Sequence, residues 1–483
     1  MSDIILVYPK ASFMEKAMNK FYLPLSFLSC SVFLYNEYKI KIIDQRLSTN
    51  WKKELLEELK SSPKCVGLST STGEQILNAL KISQLVKKNS KVPIIWGGPH
   101  PSILPKQTLE NQYIDYVIEG EGEISFYEFI KFLDGKLRIE EVHNLWYKQE
   151  GKIKNNPCAK LLDLNTIPML PYHLVEMSNY TLSYGNKKML ILEGSRGCPN
   201  RCKFCFVNKS TSQRIWRSIS PENLVNQIIH LKNRYKIDGV ELQDLSSFVD
   251  TNRIKKFAQI LIEKNLKLFW NTCGRIDDLL KLGCQGIDLL EKSGLRRLSV
   301  GIESGSEDMM NIIGKNLTLQ QVYKISKLLN NRKIDPYYSF IIGFPNETKL
   351  QREQTRKLII YLLNENKKAK VSLLHCFRPL PGNELFEECK KLGLKEPKTL
   401  YEWSKFHTNQ INYPWLSKSA KEEITKLNFL SMFLDKKYLE IDKKSVRLFA
   451  YLYGPIARFR FKHKFLNFLL ALKLKELYFL LFK

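Results

Sequence analysis

Apolar and polar positions along the chain fall into two alternating periods. Short, nearly unbroken apolar runs occupy 4–8, 39–43, 65–69, 94–97 and 116–118, the pattern of strands buried on both faces. Between them, around 23–37, 51–59, 73–88 and 102–111, apolar residues recur every three or four positions, which predicts helices. A second series places strands at 189–193, 239–243, 268–272, 297–301, 336–342 and 371–376. Amphipathic helices at 221–235, 251–264, 317–330 and 350–364 separate them. Alternation of this kind predicts an α/β protein with parallel strands. The first series describes an N-terminal doubly wound (Rossmann-like) sheet over 1–138. The second describes a partial (β/α)6 TIM-type barrel over 188–400. The linker 139–187 carries a hairpin signal around Gly151 and a proline-stiffened extended stretch at 162–171. Residues 401–483 form a helical C-terminal region.

Ligand sites in both architectures lie beyond the carboxyl ends of the strands. In the first sheet those ends carry Thr70-Ser71-Thr72-Gly73, Gly97-Gly98-Pro99-His100 and Gly120-Glu121-Gly122. Hydroxyls there can donate hydrogen bonds, and glycines admit close backbone approach. Taken singly, each loop also reads as a strand-to-helix turn; three on one edge favour a binding site.

The 483 residues, 44% hydrophobic and 26% charged, exclude wholesale disorder and leave room for about three domains. The first residues have no basic segment ahead of their apolar run, so no export signal is read. The expectation is a cytoplasmic protein whose ten cysteines are ligands, catalysts or core residues rather than disulfides. The longest uncharged run, 21–36, is short of a membrane span and reads as a buried helix.

Three cysteines stand apart. Cys198, Cys202 and Cys205 follow the first barrel strand with C-x3-C-x2-C spacing. Three thiolates on one loop can hold a [4Fe–4S] cluster and leave one iron open to an outside ligand. Zinc would want a fourth Cys or His nearby, and the nearest downstream histidine is His230. The other seven cysteines have no ligand spacing and read mostly as core, with Cys376 near the place a substrate would occupy.

This triad resembles the signature of the radical S-adenosylmethionine (SAM) superfamily. Phe204 fits the aromatic next to the third cysteine, which the resemblance places against adenine. Asp238–Asp244, Gly301–Ser306, Ile342–Thr348 and Phe377–Asn383 resemble the family's later strand-end segments, with Asn383 in place of the usual Thr. The resemblance implies reductive cleavage of SAM to a 5′-deoxyadenosyl radical. It assigns Glu241, Asp244, Glu303 and Ser304 to SAM contacts; the plain alternative is carboxylates paired with an arginine such as Arg275. The doubly wound domain ahead of the barrel is similar to the cobalamin-binding subfamily, which extends the resemblance over about 1–400. It assigns the three N-terminal loops, including His100, to cobalamin. The D-x-H-x-x-G motif that ligates cobalt elsewhere is absent: Arg46 stands at the histidine position and Thr49 at the glycine.

The resemblance therefore implies a cobalamin-dependent radical SAM enzyme with cluster, SAM and cobalamin as cofactors. Its expected reaction is methylation of an unactivated carbon of a small-molecule or lipid-like substrate, with flavodoxin or ferredoxin as electron donor. A radical cyclase resembling the anaerobic Mg-protoporphyrin ester cyclases is the alternative; a non-catalytic corrinoid-binding or membrane-associated protein is a second. Nucleic acid is not expected as a substrate.

The net charge is +27, and it is uneven. Residues 443–483 hold ten Lys/Arg against one acid, Glu476, a net of +9. Phe449, Phe459, Phe461, Phe465, Leu466, Phe468, Leu469 and Leu470 interleave with Arg447, Arg458, Arg460, Lys462, Lys464, Lys473 and Lys475. A lid on the barrel, a peripheral membrane contact and a nucleic-acid surface all fit that composition.

Overall fold

The structure, a computed structural model, describes residues 2–11, 21–185, 187–207, 214–406, 410–435 and 444–467. Five strands, β1 (Ile4–Tyr8), β2 (Ile40–Asp44), β3 (Cys65–Ser69), β4 (Ile94–Gly97) and β5 (Tyr116–Ile118), lie parallel in the order β2-β1-β3-β4-β5. Their apolar runs are explained by burial on both faces. Ile5 and Val7 pack with helix Glu74–Asn89 in one core, while Ile4 and Leu6 pack with helix Glu123–Leu133 in the other. The strand order reverses between β1 and β3, which opens a crevice at the carboxyl edge.

Three local features depart from the sequence pattern. The hairpin β6 (Leu145–Gln149) and β7 (Lys152–Asn155) joins the first sheet antiparallel to β5, because Leu145 and Tyr147 bury their side chains in its core. The helix expected at 102–111 is two short ones, Pro99–Ile103 and Pro105–Leu109. Pro105 forces Leu104 out of helical geometry, to φ −129 and ψ 58. The helix expected at 23–37 covers only Leu25–Ser31.

The second sheet runs from β8 (Leu182–Tyr184) through β9 (Lys187–Leu192). A two-residue ladder of β10 (Ser195–Arg196) and β11 (Arg217–Ser218) stands apart from it. It continues with β12 (Gly239–Leu242), β13 (Phe269–Gly274), β14 (Leu295–Glu303), β15 (Asp335–Ile342), β16 (Lys370–Val371) and β17 (His375–Cys376). From β9 to β16 the strands are parallel and in sequence order, a partial barrel; β8 caps the edge antiparallel. The sixth strand is split, and between its halves the Leu374 N–H donates to Ser431 Oγ at 3.0 Å instead of to a strand. Helix Ile276–Lys292, absent from the sequence reading, buries Ile276, Leu279, Leu282, Ile287 and Leu290, with a kink at Gly283.

At the end of β2, Arg46 is buried and forks onto Asp44: Nη2–Oδ2 is 2.7 Å and Nε–Oδ1 is 3.0 Å. Its guanidinium covers the Tyr8 ring at 4.0 Å, and Tyr180 from the linker donates to Asp44 Oδ2 at 2.9 Å. The residue at the histidine position of the missing motif is thus tied down in an ion pair. We predict that Arg46→Ala lowers stability by about 3–5 kcal/mol in chemical denaturation, because Asp44 is left as a buried, unpaired charge. Asp44→Leu/Arg46→Met should lose markedly less.

Candidate active site

The cysteine loop leaves β10 and is held by backbone. The Lys203 N–H donates to the Ile313 carbonyl at 2.9 Å, the Leu385 N–H to the Lys203 carbonyl at 3.2 Å, and the Cys205 N–H to the Cys202 carbonyl at 3.1 Å. Gly314, at φ +70, makes the approach possible: a Cβ there would stand 2.9 Å from the Arg201 carbonyl oxygen. Cys202 is buried; Cys198 and Cys205 are half-buried. Burial raises the Cys205 thiol pKa, and its neighbours Cys202 and Cys198 add to that. Arg275 Nη1 donates to Cys202 Sγ at 3.3 Å, and Asn200 Nδ2 lies 3.5 Å from Cys198 Sγ.

Among the described residues no three His, Cys, Asp or Glu side chains converge on a single metal ion. In a cubane cluster each thiolate takes a different iron. Donors aimed at sulfur are the environment such a cluster uses.

The strand-end carboxylates divide. Glu303, at φ +72 beside a bulge in β14, pairs with Lys315 Nζ at 3.2 Å, and both are buried. Positive φ is strained backbone for a residue that carries a Cβ. Arg275 turns instead to Asp277, at 3.0 Å. Asp244 is fully engaged: Oδ1 accepts the Gly194 and Ser195 N–H groups at 2.7 and 2.9 Å, and Oδ2 accepts Ser247 Oγ at 2.9 Å. It therefore positions the strand that leads to the cysteines. Glu241 accepts from Gln243 Nε2 at 2.9 Å. Ser304 is buried and accepts the Ser306 N–H at 3.2 Å. Phe204 packs edge-on to Phe344, centroids 6.1 Å apart.

A cavity of about 370 Å³ separates the carboxyl edge of the first sheet from the start of the cysteine loop. Leu6, Leu68, Ile95, Trp96 and Ile118 contribute from the sheet; Glu193, Ser195, Arg196 and Gly197 contribute from the barrel. Gly97, Gly98, Gly120, Glu121 and Gly122 line it; Thr70, Ser71, Thr72 and His100 do not. A Cβ on Gly97 would meet only the Ile118 carbonyl at 3.9 Å, so that face is open. Gly98, at φ +93, lies against Ser69 and Thr70. His100 is fully buried, with Nδ1 2.9 Å from Thr72 Oγ1 and its ring edge-on to Trp403; burial lowers its pKa to about 3. An apolar floor with glycine edges and a few polar groups suits a flat, amide-bearing macrocycle.

The sequence reading missed the group that joins the two sides. Arg196 reaches Glu121 Oε2 at 3.1 Å, Glu123 Oε1 at 2.7 Å and Glu193 Oε2 at 2.7 Å. Arg217, its neighbour across the β10–β11 ladder, also binds Glu121. Burial pushes the Glu123 carboxyl up, but Arg196 and a hydrogen bond from Ser29 more than offset this and hold it below its ordinary value. Its stabilisation is therefore present at neutral pH and lost as pH falls through that lowered value. Glu121 stands in one of the loops read from the sequence; its arginine partners, 75 and 96 positions away, give no local signal.

Comparison with known proteins gives two family models: the radical SAM superfamily matches residues 192–359, and a B12 binding domain matches 22–130. An uncharacterized methyltransferase of Pyrococcus horikoshii is 27% identical over 394 residues, covering 80% of this chain and 83% of its own. The anaerobic magnesium-protoporphyrin IX monomethyl ester cyclase of Rubrivivax gelatinosus is 25% identical over 404 residues, 82% of this chain and 70% of its own. Among solved structures, the cobalamin-dependent SAM radical enzyme OxsB, with aqua-cobalamin and SAM bound, superposes with a TM-score of 0.75. It is 19% identical, and the match covers 95% of this chain and 72% of that one. At that identity the likeness concerns the fold.

We predict that Arg196→Ala, which leaves Glu123 and Glu193 without an arginine and Glu121 with Arg217 alone, lowers stability in chemical denaturation by an amount of order 3–5 kcal/mol. Arg196→Lys should recover only part, since an ammonium cannot fork to several carboxylates.

Proposed function

Given that the chain belongs to the cobalamin-binding radical SAM proteins, with a [4Fe–4S] cluster, SAM and cobalamin as cofactors, we propose that it methylates an unactivated carbon of a small molecule. The observation that carries this reading is the cavity between the two sheets: the glycine edge of the B12-type sheet lines one side, and Gly197, directly before Cys198, lines the other. When bound, cluster and SAM supply a 5′-deoxyadenosyl radical, and cobalamin supplies a methyl group.

In this reading Cys198, Cys202 and Cys205 hold the cluster, with Arg275 and Asn200 donating to two of the sulfurs. Glu303, at positive φ and paired with Lys315, would bind the SAM amino group, and Phe204 would hold the adenine. Gly97, Gly98, Gly120 and Gly122 would hold the corrin, and the Glu121–Arg196 pair would offer it polar groups from the cavity wall. Thr70, Ser71, Thr72 and His100, set back from the cavity, support the loops rather than touch the ring. The methyltransferase name of one relative favours methylation. The cyclase named above keeps radical ring closure as the second reading. A small flavodoxin- or ferredoxin-type protein would deliver the electron, and the enzyme would work in the cytoplasm, at the membrane face where its substrate is apolar.

Two measurements test this. Anaerobic reconstitution should give about four irons per chain, lost in the Cys198→Ala/Cys202→Ala/Cys205→Ala variant. Gly97→Leu, which fills open space without straining the backbone, should keep the iron and weaken cobalamin binding at least about tenfold. Methylation predicts that the reduced, cobalamin-loaded enzyme converts SAM to S-adenosylhomocysteine as well as 5′-deoxyadenosine when given a cell extract from a deletion strain. A methyl-labelled SAM that leaves no label in any product would favour cyclisation.

A further inference from the structure

The C-terminal helix, Lys444–Lys462, is apolar on two sides. Its inner side is satisfied. Ala450, Ala457 and Phe461 are buried, Tyr453 packs edge-on to Phe433 at 5.1 Å, and Arg356 donates to the Phe461 and Lys462 carbonyls. Just beyond the helix, Lys464 bridges Glu353 at 3.0 Å and Glu423 at 3.4 Å, which ties it to the barrel.

Its outer side should then be polar, and it is not. Leu448, Tyr451, Leu452, Ile456 and Phe459 are 54–66% exposed. Counted from Leu448 they fall at i+3, i+4, i+8 and i+11, one stripe of a 3.6-residue helix. With Phe465, six of the thirteen large apolar residues exposed among the described ones lie within these eighteen positions. Scattered single residues need no explanation, but a contiguous patch marks an interaction surface. Arg458 and Lys462 are exposed beside the stripe, in the stretch whose net charge is +9.

We propose that this face docks on an anionic lipid surface, with the helix lying in the plane of the interface. Charge selects this occupant. A second copy would bring two +9 stretches together, whereas anionic headgroups are complementary to both the cations and the apolar stripe. The helix lies on the surface rather than crossing, since no helix among the described residues is long and apolar enough to span. Phe468, Leu469, Leu470, Lys473 and Lys475 lie outside the described residues.

The test is flotation of the full-length, reconstituted holoenzyme with vesicles of phosphatidylcholine alone or containing about a third phosphatidylglycerol. The expected result is binding to the anionic vesicles that weakens about tenfold or more without phosphatidylglycerol or at high salt. Leu452→Glu/Phe459→Glu should abolish binding while iron and cobalamin content and SAM cleavage stay unchanged. Absence of flotation with anionic vesicles would overturn the proposal, as would flotation indifferent to the double substitution. A wild-type dimer that the substitution dissociates, without vesicle binding, would assign the face to a second copy and overturn it equally.

Discussion

The site depends on one cluster of charges. Arg196 and Arg217, side by side on a two-residue ladder, gather Glu121 and Glu123 from the first sheet and Glu193 from the barrel. The charges are largely removed from water, so the arrangement tolerates little slack: a carboxylate that loses its arginine is left desolvated. Because Arg196 precedes Gly197 and Cys198 directly, the same contact that joins the domains also sets where the cysteine loop starts. Glu121, Glu123, Glu193 and Arg196 all line the cavity, so the charge cluster forms part of its wall.

Around this latch the backbone does most of the positioning. Asp244 spends its carboxylate on the Gly194 and Ser195 N–H groups, and Gly314 lets the cysteine loop lie on the chain beyond β14. Strain appears at Glu303, whose positive φ is kept in place by a buried lysine. Backbone framing of this kind holds a site rigid around bound groups.

Much of this was legible in the residues. The apolar runs of β1, β3 and β4 announced strands buried on both faces, and the C-x3-C-x2-C spacing singled out the cysteine loop, because both signals are local. What was not legible depends on distant partners. Asp244 stands at a strand end that reads as a ligand contact, and its Oδ1 also accepts the backbone N–H groups of residues 49 and 50 positions earlier, which no local pattern shows. His100 sat in a loop that lines the cavity, but its ring turns inward onto Trp403, a residue some 300 positions on. Helix Ile276–Lys292 escaped because Gly283 and Gly286 interrupt its pattern, although its apolar face is regular once the kink is allowed. The basic tail was ambiguous from composition alone. Its helix turned out to use one apolar face on the barrel and leave the other outward.

We propose that cluster and cobalamin sit on opposite sides of the cavity that Gly97 and Gly197 line, and the most direct measurement is electron paramagnetic resonance of the reduced holoenzyme carrying cob(II)alamin. The account predicts that the cobalt signal is broadened or split by the nearby reduced cluster, and that it returns to an isolated line shape when Cys198, Cys202 and Cys205 are replaced by alanine. An unperturbed cobalt signal in an enzyme shown to carry both groups at full occupancy would contradict it.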